Sequence, residues 1–387
     1  MFAEVIEEEV GVCLSGGLSS LTVAAWLAAS GVRTTAFVAD IGQAPPGQVN
    51  LLASALEAAG IRATVVDLTA EMAEMAMDLV RYQARYDGGY WNTTGASRLV
   101  LVRGLATAMR AAGCTMLAHG CVGGGNDQRR FERYAAALAP DLRVLSPWLE
   151  PELQQVFADR SAMHEYVQRL GLPCGDLGTA SYSVDGNMAG FSHEGTELED
   201  LRTPDTAVRA VQTVLPSAAP DKPETVRVRF DRGHPTAIGE ENLGPRQLLA
   251  EANAIAGRNG AGLRSVVEDR INGTKCRGTY EAPGLDLLGF CADRVFQVTV
   301  DKDARRFLGS LAERIGRGVY EGRYLDQEIR AACAAADVLI AVASATVEVE
   351  LYKGGMSLRG ITQDANSPLP ARQTRFSHGG HFWRVAV

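Results

Sequence analysis

Hydrophobic and polar positions alternate in a regular order along the first half of the chain. Short apolar runs at 10–14, 34–39, 63–68 and 115–118 read as buried strands, with a further short one at 142–145. Between them, apolar residues at three- and four-residue spacing predict helices at 21–30, 49–59, 70–83 and 96–112, the first two closed by Gly31 and Gly60. Strands alternating with helices imply a parallel sheet covered by helices on both faces. The methionines within 70–77 fall at helical spacing and are expected in the core.

The pattern changes after a helix at 160–170, which Pro173 ends. Residues 180–200 are rich in Ser, Gly and acidic side chains and read as loop-like, as do 217–223. Strands are expected at 225–230, 265–271 and 346–352, and helices at 245–257, 304–319 and 326–336. This is α+β order, so the chain divides into a first domain at 1–170, a second at 171–360 and an irregular tail at 361–387. It has no internal repeat and no low-complexity tract.

Composition narrows the function classes. The 387 residues carry a net charge of −8, which disfavours nucleic acid as a partner. The acidic start lacks the basic and apolar regions of a signal peptide, and the late apolar run 338–343 is too short to span a bilayer. Seven cysteines, an odd number without a C-x-x-C pair, point to reduced thiols and a cytoplasmic protein. They argue against a zinc ribbon or a sulfur-transfer dithiol. His378 and His381 are too few ligands for a metal site, so no metal ligands are assigned.

Two glycine-bearing segments fall at predicted strand ends, where ligands of parallel sheets collect. Ser15-Gly16-Gly17 is the first, and His119 to Asp127, with Gly120, Gly123, Gly124 and Gly125, is the second. Glycines let the backbone approach a ligand, and the amides of a following helix start favour an anion. The plainer alternative is a strand–helix turn capped by Ser19 or Ser20. His119 either packs its loop or contacts phosphate or substrate.

From Val10 to Gly360 the chain resembles the argininosuccinate synthase family, ligases of the PP-loop ATP pyrophosphatase superfamily. Ser15-Gly16-Gly17-Leu18 matches the PP-loop, and 38–43 matches a second-strand segment. Then follow GGGNDQRRFE at 123–132, Ser146-Pro147-Trp148, YSVDGN at 182–187 with Ser192, VEDR at 267–270 and RGTYE at 277–281. The resemblance implies an α/β fold: a parallel-sheet nucleotide-binding domain of the adenine nucleotide α-hydrolase-like type, then an α+β synthetase domain.

It also implies a reaction, in which ATP with Mg2+ adenylates the ureido oxygen of citrulline and the amine of aspartate displaces AMP. No enzyme nucleophile is needed, and positioning falls first to Asp127 and Arg130. Carried over position by position, Cys13, Leu14, Ser15, Gly16, Gly17, Leu18, Ser19, Ser20, Ala39, His119, Gly120 and Gly125 would bind ATP. Tyr90, Asn126, Arg130, Ser183, Ser192, Glu268 and Tyr280 would hold the citrulline-like substrate. Val122, Asn126 and Asp127 would face the aspartate-like one.

Several positions depart from the family. Ser19 and Leu21 replace an Asp and a Ser of the PP-loop, Gly95 stands for a Ser, and Val122 and Gly124 stand for a Thr and a Lys. The resemblance implies a homo-oligomer, a tetramer in the family, though the C-terminus is shorter than the family's subunit-bridging tail. The changed loops suggest a paralogue from a specialised pathway with another amine or ureido substrate. A non-catalytic protein that binds amino acid or nucleotide is the rival class. A tRNA-thiolating enzyme is disfavoured by the missing C-x-x-C and the acidic charge.

Overall fold

The computed structural model describes Val5 and residues 7–173 and 182–362. Cys174, His378 and His381 lie outside the described residues, as does the expected tail beyond residue 362.

The first part is built as β1 Glu9–Leu14, α1 Leu18–Ala29, β2 Arg33–Asp40, α2 Gln48–Ala58, β3 Arg62–Asp67, α3 Thr69–Tyr82, α4 Thr93–Ala111, β4 Met116–His119, α5 Asn126–Leu138 and β5 Arg143–Leu145. All five strands are parallel, in the order β3-β2-β1-β4-β5. β1 is a continuous apolar run because helices cover both faces of the sheet. Met72, Met75 and Met77 are buried in the core, as their spacing predicts. Two further helices, α6 Pro151–Val156 and α7 Arg160–Arg169, follow, and α7 packs on α1.

The second part opens with a hairpin, β6 Ser183–Asn187 and β7 Gly190–Glu194, where composition suggests a loop. The strands are polar because their buried side chains are paired by hydrogen bonds. Asn187 donates to the Thr93 carbonyl at 3.1 Å, Ser192 and Thr94 share a 2.6 Å bond, and His193 Nε2 lies 2.6 Å from Glu281.

After a short α8, Thr196–Glu199, come β8 Glu224–Asp231, β9 His234–Ile238, β10 Glu241–Asn242, α9 Pro245–Arg258, β11 Leu263–Asp269 and β12 Lys275–Glu281. The chain continues as α10 Pro283–Thr299, α11 Lys302–Tyr320, α12 Gln327–Ile340, β13 Ala345–Tyr352 and β14 Gly355–Thr362. They make two antiparallel sheets, β10-β9-β8-β13-β14 and β11-β12-β7-β6. The sequence pattern misses α10 because the helix is buried on nearly every side and has little polar face to set a period. One apolar core runs from α3 and α4 into α10, α11 and β13, so the two parts share an interior. Among the described residues no helix is long and apolar enough to cross a membrane.

Candidate active site

The loops after β1, β2 and β4 begin at one level, since Cys13 pairs with both Phe37 and His119. Strand order reverses between β1 and β4, which opens a crevice at this edge. After β1, Gly16 takes φ +84°, a left-handed value that a side chain resists. Gly17 is then the N-cap of α1 and supplies no side chain to it. The cap expected from Ser19 or Ser20 does not form, because the helix starts earlier, at Leu18. Both serines lie inside its first turn, where the Ser20 hydroxyl donates to the Gly17 carbonyl at 2.9 Å. No side chain caps the leading amides of α1, which favours an anion there.

The second glycine loop presses against the first. A Cβ on Gly120 would lie 2.4 Å from the Ser20 Cα, so only glycine allows this approach. The loop ends at Gly125, which begins α5 and again gives no side-chain cap. Two helices thus open uncapped over the same edge of the sheet. The turn after Ala39 is rigid: Gln43 donates to the Ala39 carbonyl at 2.6 Å and accepts from the Ile41 amide at 2.8 Å.

His119 is fully buried beneath the loop. Its Nε2 is 3.1 Å from the Ser146 hydroxyl, its Nδ1 accepts from the Cys121 amide, and its ring stacks on Phe131. Burial lowers its pKa to about 4, so the ring is neutral at pH 7. Burial pushes the Cys13 thiol up to about 12, which leaves it unreactive. Leu21 is fully buried in the core under α1, and Ser19 is half-buried.

Beside the loops lies a cluster of charged and aromatic side chains from both parts of the chain. Asp127, in the first turn of α5, accepts from Arg98 of α4 and from Arg130 of α5, each at 2.8 Å. Arg98 also pairs with Asp185 of the hairpin. Burial would raise the Asp127 carboxyl, but Arg98 and Arg130 override it and hold it well below the usual range. Arg130 donates from Nε to the Tyr320 carbonyl at 2.6 Å and lies over the Tyr320 ring. Asn126 donates to the Tyr320 hydroxyl at 2.9 Å and accepts from the Ile271 amide at 3.0 Å.

On the other side, Glu268 of β11 is 3% exposed and accepts from the Tyr320 hydroxyl at 2.7 Å. Its second oxygen has no partner, and neither has the hydroxyl of Tyr280 on β12. Tyr280 stacks on Tyr90 at 4.1 Å, and both phenols are held protonated chiefly by burial and then by nearby ionisable groups, Glu268 among them. Tyr280 pairs with Ser192 across the sheet. Ser183 stands apart, exposed at the start of β6, where it accepts from Arg160 at 3.4 Å. Val122 is 61% exposed on the second loop.

Two unpartnered oxygens, and a buried guanidinium linked to Glu268 through Tyr320, suit a small molecule with a cationic and an anionic end. Among the described residues no group of three or more His, Cys, Asp or Glu could hold a metal ion.

Residues 9–173 match the model of the arginosuccinate synthase N-terminal HUP domain, and residues 182–368 match that of the arginosuccinate synthase C-terminal domain. The chain belongs to the argininosuccinate synthase family. It is 34% identical to the argininosuccinate synthase of Idiomarina loihiensis, over 90% of this chain and 86% of that one. Identity to the Syntrophobacter fumaroxidans enzyme is also 34%, covering 95% and 91%. The chloroplastic argininosuccinate synthase of Arabidopsis thaliana is 32% identical, covering 93% and 72%.

Within this family scaffold, the sequence motifs find Asn126, Arg130, Glu268 and Tyr280 but miss the groups that hold them. Arg98, Asp185 and Tyr320 lie outside every recognised role. Asp185 sits inside the YSVDGN motif, and Tyr320 is one residue past the end of the helix expected at 304–319. Periodicity marks Arg98 only as a polar residue on a helix, whereas it is 6% exposed and paired twice.

Proposed function

We propose that this family member is an ATP-dependent, AMP-forming ligase that joins citrulline, or a close ureido amino acid, to the amine of aspartate or a similar compound. The observation that carries the reading is the meeting of two uncapped helix starts with the side-chain cluster of Arg130 and Glu268. The leading amides of α1 and α5 would take nucleotide phosphates, the role of Ser15 to Ser20 and of Gly120 to Gly125. Arg130 would pair with the substrate carboxylate through Nη2, since Nε and Nη1 are already used. The free Glu268 oxygen and the Tyr280 hydroxyl would hold its ammonium group.

The ureido oxygen then attacks the α-phosphorus and pyrophosphate leaves. The amine nitrogen next attacks the ureido carbon, forming the C–N bond as AMP departs with the C–O electrons. The chain contributes alignment of reactants. Magnesium would enter bound to nucleotide phosphates, and Ser15, Ser19, Ser20 and Asp127 carry side-chain oxygens at that edge.

An amine other than aspartate is a second reading, favoured by the exposed Val122, which offers no hydrogen-bonding group on that loop. A pyrophosphate-release assay with citrulline and aspartate tests the main proposal, and a panel of amines tests the second. No release from any pairing of ureido acid and amine would overturn both, and citrulline binding without ATP turnover would support a non-catalytic protein.

A further inference from the structure

Tyr320 closes α11 in the second part of the chain, yet its atoms meet three candidate substrate residues. Its hydroxyl donates to Glu268 Oε1 at 2.7 Å and accepts from Asn126 Nδ2 at 2.9 Å. Its carbonyl accepts from Arg130 Nε at 2.6 Å, and its ring lies beneath that guanidinium. The ring also stacks on Tyr86 with centroids 3.6 Å apart and planes 12° from parallel. The side chain is fully buried between these partners.

These bonds decide which atoms stay available. Glu268 spends Oε1 on Tyr320 and, more weakly, on the Cys276 thiol at 3.6 Å, and keeps a buried, unpartnered Oε2. Arg130 spends Nε on Tyr320 and Nη1 on Asp127, which leaves Nη2. Asn126 is fixed at both ends, by Tyr320 and by the Ile271 amide. We propose that Tyr320 is a positioning residue that pre-orients Glu268, Asn126 and Arg130 for the two charged ends of the amino-acid substrate. It sets the binding of that substrate through side chains and, among the described residues, makes no hydrogen bond to the backbone of 15–20 or 120–125. Burial, followed by Glu268, raises the phenol pKa, so the hydroxyl remains a donor across the working pH range.

The proposal rests on the ureido amino acid reading above, and one experiment separates the two. Citrulline and ATP binding are measured by calorimetry, and pyrophosphate release by steady-state kinetics, for wild type and Tyr320→Phe. Phenylalanine keeps the stack on Tyr86 and the carbonyl bond to Arg130, and removes only the hydroxyl bridge. Leaving a buried charge short of a donor predicts a rise in Kd and KM for citrulline of roughly 10-fold or more. ATP binding should stay within about 2-fold and kcat within about 3-fold, a split that a general loss of structure would not give.

Tyr86→Phe, which removes a neighbouring hydroxyl bonded to the Asp269 carbonyl, should leave citrulline binding unchanged. Citrulline affinity within about 2-fold of wild type in Tyr320→Phe would overturn the proposal. A parallel loss of citrulline binding, ATP binding and thermal stability would overturn it as well. Wild type that binds no ureido amino acid would instead sink the substrate reading. If Tyr320→Phe does not fold, 3-fluorotyrosine at position 320 serves in its place: its fluorine resonance should move with citrulline and not with ATP, and an unmoved resonance counts against the inference.

Discussion

The two halves of the site are built by different means. The proposed phosphate side is almost all backbone: Gly16 and Gly120 shape it, leading helix amides line it, and its histidine is buried beneath it. The proposed amino-acid side is almost all side chain, a mesh of Arg98, Asp127, Arg130, Asp185, Glu268 and Tyr320 drawn from three helices and one sheet. A backbone site is insensitive to most side-chain changes and fragile where a glycine is needed. A side-chain mesh fails at any member, because each removal leaves a buried partner unpaired.

The largest effect is expected from cutting the mesh. Asp127→Ala leaves Arg98 and Arg130 facing each other without their shared carboxylate. It should cost about 3–5 kcal/mol in urea denaturation and lower turnover at least ~100-fold, by the penalty for breaking a buried ion pair. Preserved stability would show that Asp185 alone can balance both cations.

The backbone side breaks by added bulk. Gly120→Val puts a side chain 2.4 Å from the Ser20 Cα, so α1 must shift. ATP affinity should fall about 100-fold or more while citrulline affinity changes only ~2-fold, since a displaced loop no longer aims its amides. Equal losses of both ligands in calorimetry would show the halves to be mechanically joined.

Leu21 tests whether the changed PP-loop is adaptation or decay. Its side chain is fully buried in the core, so Leu21→Ser should cost about 2–4 kcal/mol of stability. Ser19 is half-buried at the helix start, where Ser19→Asp should add about 0.3–1 kcal/mol by the helix dipole in the absence of nucleotide. A large gain in turnover from the double change would mark the present loop as decayed, and little change would mark it as adapted.

The smallest effect concerns pH. His119 titrates at about 4 when folded and near 6.5 unfolded, so the unfolded chain binds the extra proton between those values. Its contribution to stability is complete above about pH 6.5 and is lost as pH falls towards 4. Wild type should lose on the order of 1–3 kcal/mol between pH 7 and pH 4.5, and His119→Gln distinctly less, by urea titration at both pH values.

The family was legible before any coordinates, because its motifs are runs of adjacent residues: SGGL at 15–18, NDQRRFE at 126–132 and RGTYE at 277–281. The parallel sheet was legible too, since strands buried on both faces are continuous apolar runs. What the sequence could not supply was the pairing of polar groups across the molecule. The hairpin 183–194 reads as loop because its buried face is polar, and only Thr93, Thr94 and Glu281 make that burial favourable. The identity of the α1 cap was decided by where the backbone turns helical, at Leu18, which makes Gly17 the cap and places Ser19 and Ser20 inside the first turn. Tyr320 lies 190 residues beyond Arg130 and joins no local pattern, so its place between Asn126, Arg130 and Glu268 comes from the packing of α11 alone. Periodicity and motifs record what each residue needs from water and from its near neighbours, whereas the partner of a buried charge is chosen by the fold.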